Sequence, residues 1–335
     1  MKIFFYSKLS QYYGVRVIID NFVAACNRHE IDCKVIDCLD EVNRTDSIVV
    51  SYGVKESLDV IKKGISPKIT ILTDAISLGY LNKVKFYLKH FNFCHFDFLY
   101  SAYGYLRYKR EEKIVCEKFG KIALVSPTDI DYLVKCTGQN KDKFIYVANG
   151  VNIPKVISEK TTSNGFVLGL LASWSAKQTY QESAWFVKDY FSRYRQTHKD
   201  VTLKLIGRGE YISLLKGIEG VDIVGEVESL DDGFSQIDVF VGVNPKGCGV
   251  LNRVLDAMSY KTPILSLPEC FSGLPGAENL FYNFTDYKSF ETQLNVLKKK
   301  PEEMVTKANA AFTYIQKNNN WTMNYDKLLS DFGLI

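Results

Sequence analysis

Short apolar segments of strand character alternate with segments of helical period along almost the whole of this 335-residue chain. The first, KIFFY at 2–6, is followed by the loop SKLSQYYG, which ends at Gly14. Then comes VRVIIDNFVAACNRH, whose apolar residues recur at helical spacing. KVIDCL, SIVVSYGV, ITILTDA, IALVSP and KFIYVANGV add strands, and DIDYLVKC a helix. Strands that alternate with helices pair in parallel, because a parallel neighbour needs a crossover of helix length. The pattern stops at 151–165, VNIPKVISEKTTSNG, which is polar and aperiodic and reads as a linker. It then starts afresh, with FVLGLLAS, VTLKLIG, VDIVGEV and DVFVGVN as strands. ESAWFVKDYFSRYRQT, YISLLKGI and LDDGFSQI read as the helices between them. A chain of this length exceeds one ordinary core. The expectation is an α/β protein of two doubly wound, Rossmann-like domains, 1–155 and 156–317, facing each other across a central cleft. Ligands of such sheets bind at the carboxyl ends of the strands.

Composition narrows the partners. Charged residues are 24% of the chain and the net charge is +4, too small to argue for nucleic acid. Cysteines at 26, 33, 38, 94, 116, 136, 248 and 270 include no CxxC and no zinc spacing, which implies free thiols in a reducing compartment. No apolar run approaches the ~20 residues of a membrane span, and the opening MKIFFYSK has no secretory core. The expected location is cytoplasmic.

The richest stretch is KGCGVLNRVLDAMSYKTPILSL, 246–267. Gly247 and Gly249 precede a helix-like run, and glycines there let a phosphate approach backbone N–H groups at a helix N-terminus. Arg253, one turn in, offers a charged fork to the same phosphate. Asp256 follows three residues later on nearly the same face and suits a ribose diol. Together they read as a nucleotide diphosphate site. The plain alternative is an exposed i,i+3 ion pair after an ordinary turn.

The wider context is LKLIGRGE, then VDIVGEV, then IDVFVGVNP, then NRVLDAMSYKTPIL. This series resembles the retaining GT-B glycosyltransferases of the glycogen-synthase-like superfamily. GCGVLNRVLDAM resembles the G-x-G-x-x-x-[K/R]-x-x-E pattern of their bacterial polysaccharide and exopolysaccharide branch. The resemblance implies that Asp256 holds the donor ribose, that Arg253 contacts the diphosphate, and that Gly247 and Gly249 meet the diphosphate or the sugar. It groups Asn252 at the helix head with them. Arg208 falls near the nucleotide, the backbone at Glu226-Val227 near the base, and Lys177 on a phosphate. Gly14 fits the loop set against the donor phosphates, or is a plain turn glycine. Departures from the pattern are Asp256 in place of glutamate, Cys248 where a second glutamate often contacts the donor sugar, and SWSAKQTYQES, which lacks the usual G-R-L…K-G frame.

In the first domain TDAISLGYLNK and ALVSPTDIDYL resemble the D-A-x-S…V-S-x-x-D pattern of the same branch. The resemblance puts Asp74 at the acceptor hydroxyl, where a carboxylate orients or partly deprotonates it; the alternative is a strand-end cap. It implies a front-face transfer with retention in cell-surface polysaccharide synthesis. The growing diphosphate charge is then met by Arg208 or Lys177 with Arg253. No cofactor beyond the nucleotide-sugar donor is expected, and no metal, because Asp231-Asp232 more readily starts a helix. The acceptor is expected to be a glycan or a lipid-linked sugar. The aromatic, basic stretch 80–110 suits peripheral contact with anionic lipid at the inner membrane face or, alternatively, a buried core. His90 and His95 read as packed or exposed histidines. Trp321 resembles the tryptophan heading a terminal helix, 318–335, that crosses back to the first domain. Two other functions stay open, a non-catalytic nucleotide-sugar-binding GT-B protein and a sugar-nucleotide epimerase. An oxidoreductase is disfavoured, since no G-x-G-x-x-G follows the first strand of either domain.

Overall fold

The computed structural model describes residues 2–42, 47–66, 68–90, 96–161, 165–245 and 247–335; Cys94 and His95 lie outside these. Two compact units are formed. The first comprises Met1–Gly150, Lys246–Val250 and Asn319–Ile335, and the second Val151–Pro245 and Leu251–Asn318.

The first unit is built on strands β1 (Lys2–Tyr6), β2 (Asp32–Ile36), β3 (Ser47–Tyr52), β4 (Ile69–Thr73), β5 (Lys121–Leu124) and β6 (Phe144–Tyr146). They form one parallel sheet in the order β2-β1-β3-β4-β5-β6. Side chains alternate across a strand, so consecutive residues of β1 enter different cores. Ile3 and Phe5 join residues of the helices Tyr13–Arg28 and Trp321–Phe332 on one face. Phe4 and Tyr6 join residues of Val54–Lys62, Phe96–Lys118 and Pro127–Thr137 on the other. Covering both faces is why these strands read as unbroken apolar runs.

The last helix is tied into this unit by specific contacts. Gly150 leaves room for the Trp321 ring, which a Cβ there would meet at 2.2 Å. Asn319 Nδ2 donates to the Asn149 carbonyl (2.7 Å) and Asn324 Nδ2 to that of Ala148 (3.0 Å). Arg28 Nη2 pairs with Asp326 at 2.6 Å.

The second unit holds β7 (Phe166–Leu171), β8 (Val201–Ile206), β9 (Val221–Gly225), β10 (Val239–Gly242), β11 (Ile264–Ser266) and β12 (Tyr282–Asn283). Their order is β12-β11-β10-β7-β8-β9, again all parallel. The chain winds outward from β7 to β9, then restarts at β10 on the other side of β7. The strand order thus reverses between β7 and β10, the kind of point at which doubly wound sheets receive ligands.

Three local readings change. Within the stretch 151–165, Ser158, Lys160 and Thr161 are anchored to the second unit. Ser158 Oγ donates to Asp231, Thr161 N to the Ser235 carbonyl (2.9 Å), and Lys160 Nζ to the carbonyls of Phe234 and Ile237 (both 2.9 Å). Burial holds the Lys160 ammonium down to about 8. YISLLKGI forms a 3-10 turn, Glu210–Leu215, in place of the expected α-helix. The helix beginning at Lys177 passes through a π turn, Val187–Phe191, before ending at Arg195.

Candidate active site

The loop 247–250 packs into the first unit, and its geometry is set by glycine. Gly249 has φ +64°, and a Cβ on it would lie 2.0 Å from Asp74 Oδ1. Gly247 has φ +42°, and its carbonyl accepts from Asn82 Nδ2 at 3.2 Å. Cys248 sits over Gly79, where a Cβ would meet its Sγ at 2.8 Å. The loop thus lies directly on the segment that follows β4. Only small residues at 79 and 249 allow that approach.

Two carboxylates organise the same place. Asp129 is fully buried in the first turn of Pro127–Thr137, whose N-cap Ser126 takes the Asp129 N–H. Its carboxylate accepts from Ala75 N at 2.7 Å and from Gly249 N at 3.1 and 3.2 Å. One side chain therefore fixes both the residue next to Asp74 and the glycine loop. Asp74 follows Thr73, a β-branched residue at φ +63°, and its N–H turns back to the Leu72 carbonyl at 2.9 Å. A side chain of that kind in the left-handed region is strained by roughly 1–3 kcal/mol. Among the described residues none donates a hydrogen bond to the Asp74 carboxylate. Burial, and then the negative charge of Asp129, push its proton affinity up to about 7. Burial likewise raises Asp129 to about 6, against the opposing pull of the Ala75 and Gly249 N–H groups. A third buried carboxyl, Glu112, accepts from Ser77 N at 3.1 Å and from Ser77 Oγ, which also meets Tyr132 OH at 3.0 Å. Burial raises it to about 7.

In the second unit the donor candidates lie on consecutive loops at the carboxyl edge of the sheet. Gly207 (φ +122°) and Gly209 (φ +135°) thread Arg208 against the loop after β7. A Cβ on either would overlap the backbone there, 1.9 Å from Ala172 O and 2.1 Å from Trp174 C. Trp174 N donates to the Arg208 carbonyl at 2.8 Å, and its indole N–H to that of Ile206 at 3.0 Å. The two loops are thereby locked, with Arg208 exposed and Lys177 exposed at the first position of its helix. Val227, just past β9, lies beside Gly233, while its neighbour Glu226 reaches Arg208 at 3.8 Å. After β10 the helix Asn252–Ser259 begins, with Asn252 exposed at its head. Arg253 Nη1 and Asp256 Oδ2 are 3.0 Å apart. The ion pair weighed in the sequence is thus present, and it is partly buried, with Asp256 21% accessible. Burial raises the Asp256 carboxyl, and Arg253 counteracts it.

The structure joins Asp74 to Gly249 and Arg253 to Asp256, sets Arg208 and Val227 on the loops after β8 and β9, and puts Lys177 at the head of the helix after β7. Gly14 differs. It lies inside the first turn of Tyr13–Arg28 instead of ending a loop, and a Cβ there would meet nothing within 4 Å. Nothing in the fold therefore demands glycine at 14. Asp231-Asp232 starts a helix as expected, with Ser229 and Asp232 forming a capping box. Sequence reasoning missed Asp129 as a site residue. Its only signal was its place in ALVSPTDIDYL; its hydrogen bonds span 54 and 120 residues of chain.

Comparison with known proteins agrees with the fold. Residues 166–296 match the family model described as glycosyl transferases group 1. No curated protein matches the sequence. Among solved structures, Anabaena HepE in complex with UDP superposes with a TM-score of 0.66 at 12% identity, covering 100% of both chains. A glycosyltransferase from Rickettsia africae gives 0.58 at 12% identity, covering 99% of this chain and 98% of that one. The UDP-forming α,α-trehalose-phosphate synthase of Burkholderia xenovorans gives 0.61 at 12% identity, covering 96% of this chain and 78% of the other. The chain has the GT-B fold, and its second unit carries a domain of the glycosyl transferases group 1 type.

Proposed function

We propose that this protein is a retaining glycosyltransferase that moves a sugar from a nucleotide-diphosphate sugar to a glycan or lipid-linked acceptor, in the synthesis of a cell-surface polysaccharide on the cytoplasmic side. One observation carries the reading: the partly buried Arg253–Asp256 pair stands in the first turns of the helix that opens after β10, beside the strand-order reversal and inside the family-matched stretch. That is where a doubly wound sheet receives a nucleotide. Asp256 accepts from the ribose hydroxyls. Arg253, the head of its helix, Lys177 and Arg208 hold the diphosphate. The backbone at Val227 meets the base. HepE was solved with UDP and with UDP-glucose, and the trehalose-phosphate synthase is UDP-forming, which makes UDP the base to test first.

The chemistry then follows from charge. The bond between the anomeric carbon and the diphosphate oxygen breaks as the acceptor oxygen bonds to the same face of that carbon. The acceptor proton passes to the departing phosphate oxygen, and the cations beside it stabilise the negative charge that grows there. Asp74, with a proton affinity near neutrality and no hydrogen-bond donor among the described residues, orients the acceptor hydroxyl. Asp129 is a positioning residue for Asp74 and for the glycine loop. The scheme calls on no cofactor and no metal.

A thermal-shift screen of UDP, GDP, ADP and CMP and their sugar conjugates tests the donor site. A rise in melting temperature with one nucleotide, lost in Arg253→Ala, is expected. Transfer or donor hydrolysis separates an enzyme from a non-catalytic binder, and an α product from an α-linked donor establishes retention.

A further inference from the structure

The helix Phe96–Lys118 presents two opposite faces. Ser101, Gly104, Glu112, Val115 and Cys116 are buried against the first unit. On the far side stand Phe96, Leu99, Tyr100, Tyr103 and Leu106, with 77, 59, 56, 63 and 66% of their surface open. Their spacing of three and four residues makes one continuous stripe. Such a stripe on a soluble face marks an interaction surface, since scattered single apolar residues would not align.

Charge says what covers it. Between 96 and 106 the only charged side chain is Asp97. The stripe then runs into Arg107 and Arg110, both exposed at the next positions of the same face, with Lys109 and Lys113 exposed one row away; Arg107 also pairs with Glu111 at 2.9 Å and Lys113 with Glu117 at 4.0 Å, which leaves the band basic on balance. The neighbouring helix Ile76–His90 runs antiparallel, since Ser77 meets Glu112 while Tyr80 packs on Gly104 and stacks on Tyr108. That register brings its exposed Leu88 and Lys89 beside the first turns of the longer helix. Aromatic and leucine side chains at one end with a basic band behind them match the boundary between acyl chains and anionic headgroups. Among the described residues no helix is long and apolar enough to cross a membrane, so the contact is with the surface.

We propose that the exposed face of Phe96–Lys118 is a docking surface for anionic lipid bilayers: Phe96, Leu99, Tyr100, Tyr103 and Leu106 enter the interface and Arg107 and Arg110 hold the headgroups. The proposal specifies the place and polarity of the membrane contact and gives a lipid-linked acceptor a reason to be met there. It does not depend on the donor reading.

The test is co-sedimentation of the full chain with vesicles of phosphatidylcholine alone or with 30% phosphatidylglycerol. The wild type is expected to pellet at least tenfold more with the anionic vesicles and to be released by high salt. Leu99→Ser/Leu106→Ser and, separately, Arg107→Glu/Arg110→Glu are expected to stay in solution. All four positions are exposed, so both variants fold, which an unchanged melting temperature checks. An unchanged UDP thermal shift in these variants keeps lipid binding separate from donor binding. No preference of the wild type for anionic vesicles overturns the proposal, as does equal pelleting of both variants. Light scattering that shows a dimer of the wild type converted to monomer by Leu99→Ser/Leu106→Ser, without vesicle binding, assigns the face to a second copy instead and also overturns it.

Discussion

The backbone N–H of Gly249 donates to the buried carboxylate of Asp129, whose oxygen also takes the N–H of Ala75. A glycine loop late in the chain and the residue following Asp74 thus share one acceptor. Asp129→Asn keeps the shape but puts an amide NH2 donor where Oδ1 lies 3.2 Å from Gly249 N, so a buried donor faces a donor and goes without a partner. Leaving a buried donor unsatisfied costs about 1–3 kcal/mol, and a fall of several degrees in melting temperature is expected. Transfer should fall further than stability does, with the loss in kcat, because Asp74 is no longer held.

Gly249→Ala places a methyl group 2.0 Å from Asp74 Oδ1, at a φ of +64°. Either the loop or the carboxylate must move. The left-handed conformation alone costs about 1–2 kcal/mol for a residue with a Cβ. We expect a folded protein with at least tenfold lower transfer, measured by product formation under conditions where the circular dichroism is unchanged. Gly14→Ala, by contrast, meets open space and lies in a helix, and should leave the melting temperature unchanged or higher.

Asp74→Asn should spare UDP binding and lower transfer by about 10²-fold, the range of a positioned acid–base group. The pH profile gives the sharper readout. A carboxyl raised to about 7 becomes ionised as pH rises through neutrality, so wild-type kcat should climb through that range and the variant lose that limb. Stability runs the opposite way. The folded state holds the Asp74 and Asp129 protons to higher pH than the unfolded chain does, so it binds more protons between about 4 and 7. This contribution to stability is present below pH 4 and is lost as pH rises to 7. Denaturant midpoints against pH should show that slope, and Asp74→Asn should flatten it.

Arg253→Ala leaves the partly buried Asp256 carboxylate without its cation at 3.0 Å. Nucleotide affinity should fall about tenfold or more, the scale of a charge-assisted hydrogen bond. Asp256→Asn should weaken binding of UDP more than of pyrophosphate, which has no ribose. Isothermal titration with both ligands checks this, and equal losses for the two would refute the ribose assignment.

The alternation of strand and helix was readable along the chain because a parallel sheet covered on both faces needs unbroken apolar runs such as KIFFY and FVLGLL. The glycine loop, Arg253 and Asp256 were readable because their chemistry is local, set by residues within one loop and one helix. The two-residue strand Tyr282–Asn283 was not, being too short to carry any period. Nor was the exposure of the aromatic stripe, since the period of a helix fixes which residues share a face but not which face finds a neighbour. The sequence by itself determined the parallel α/β units and the helix that carries Arg253 and Asp256. Only the tertiary structure decided that Asp129 holds Ala75 and Gly249 together beside Asp74, because those hydrogen bonds close loops of 54 and 120 residues and leave no local pattern.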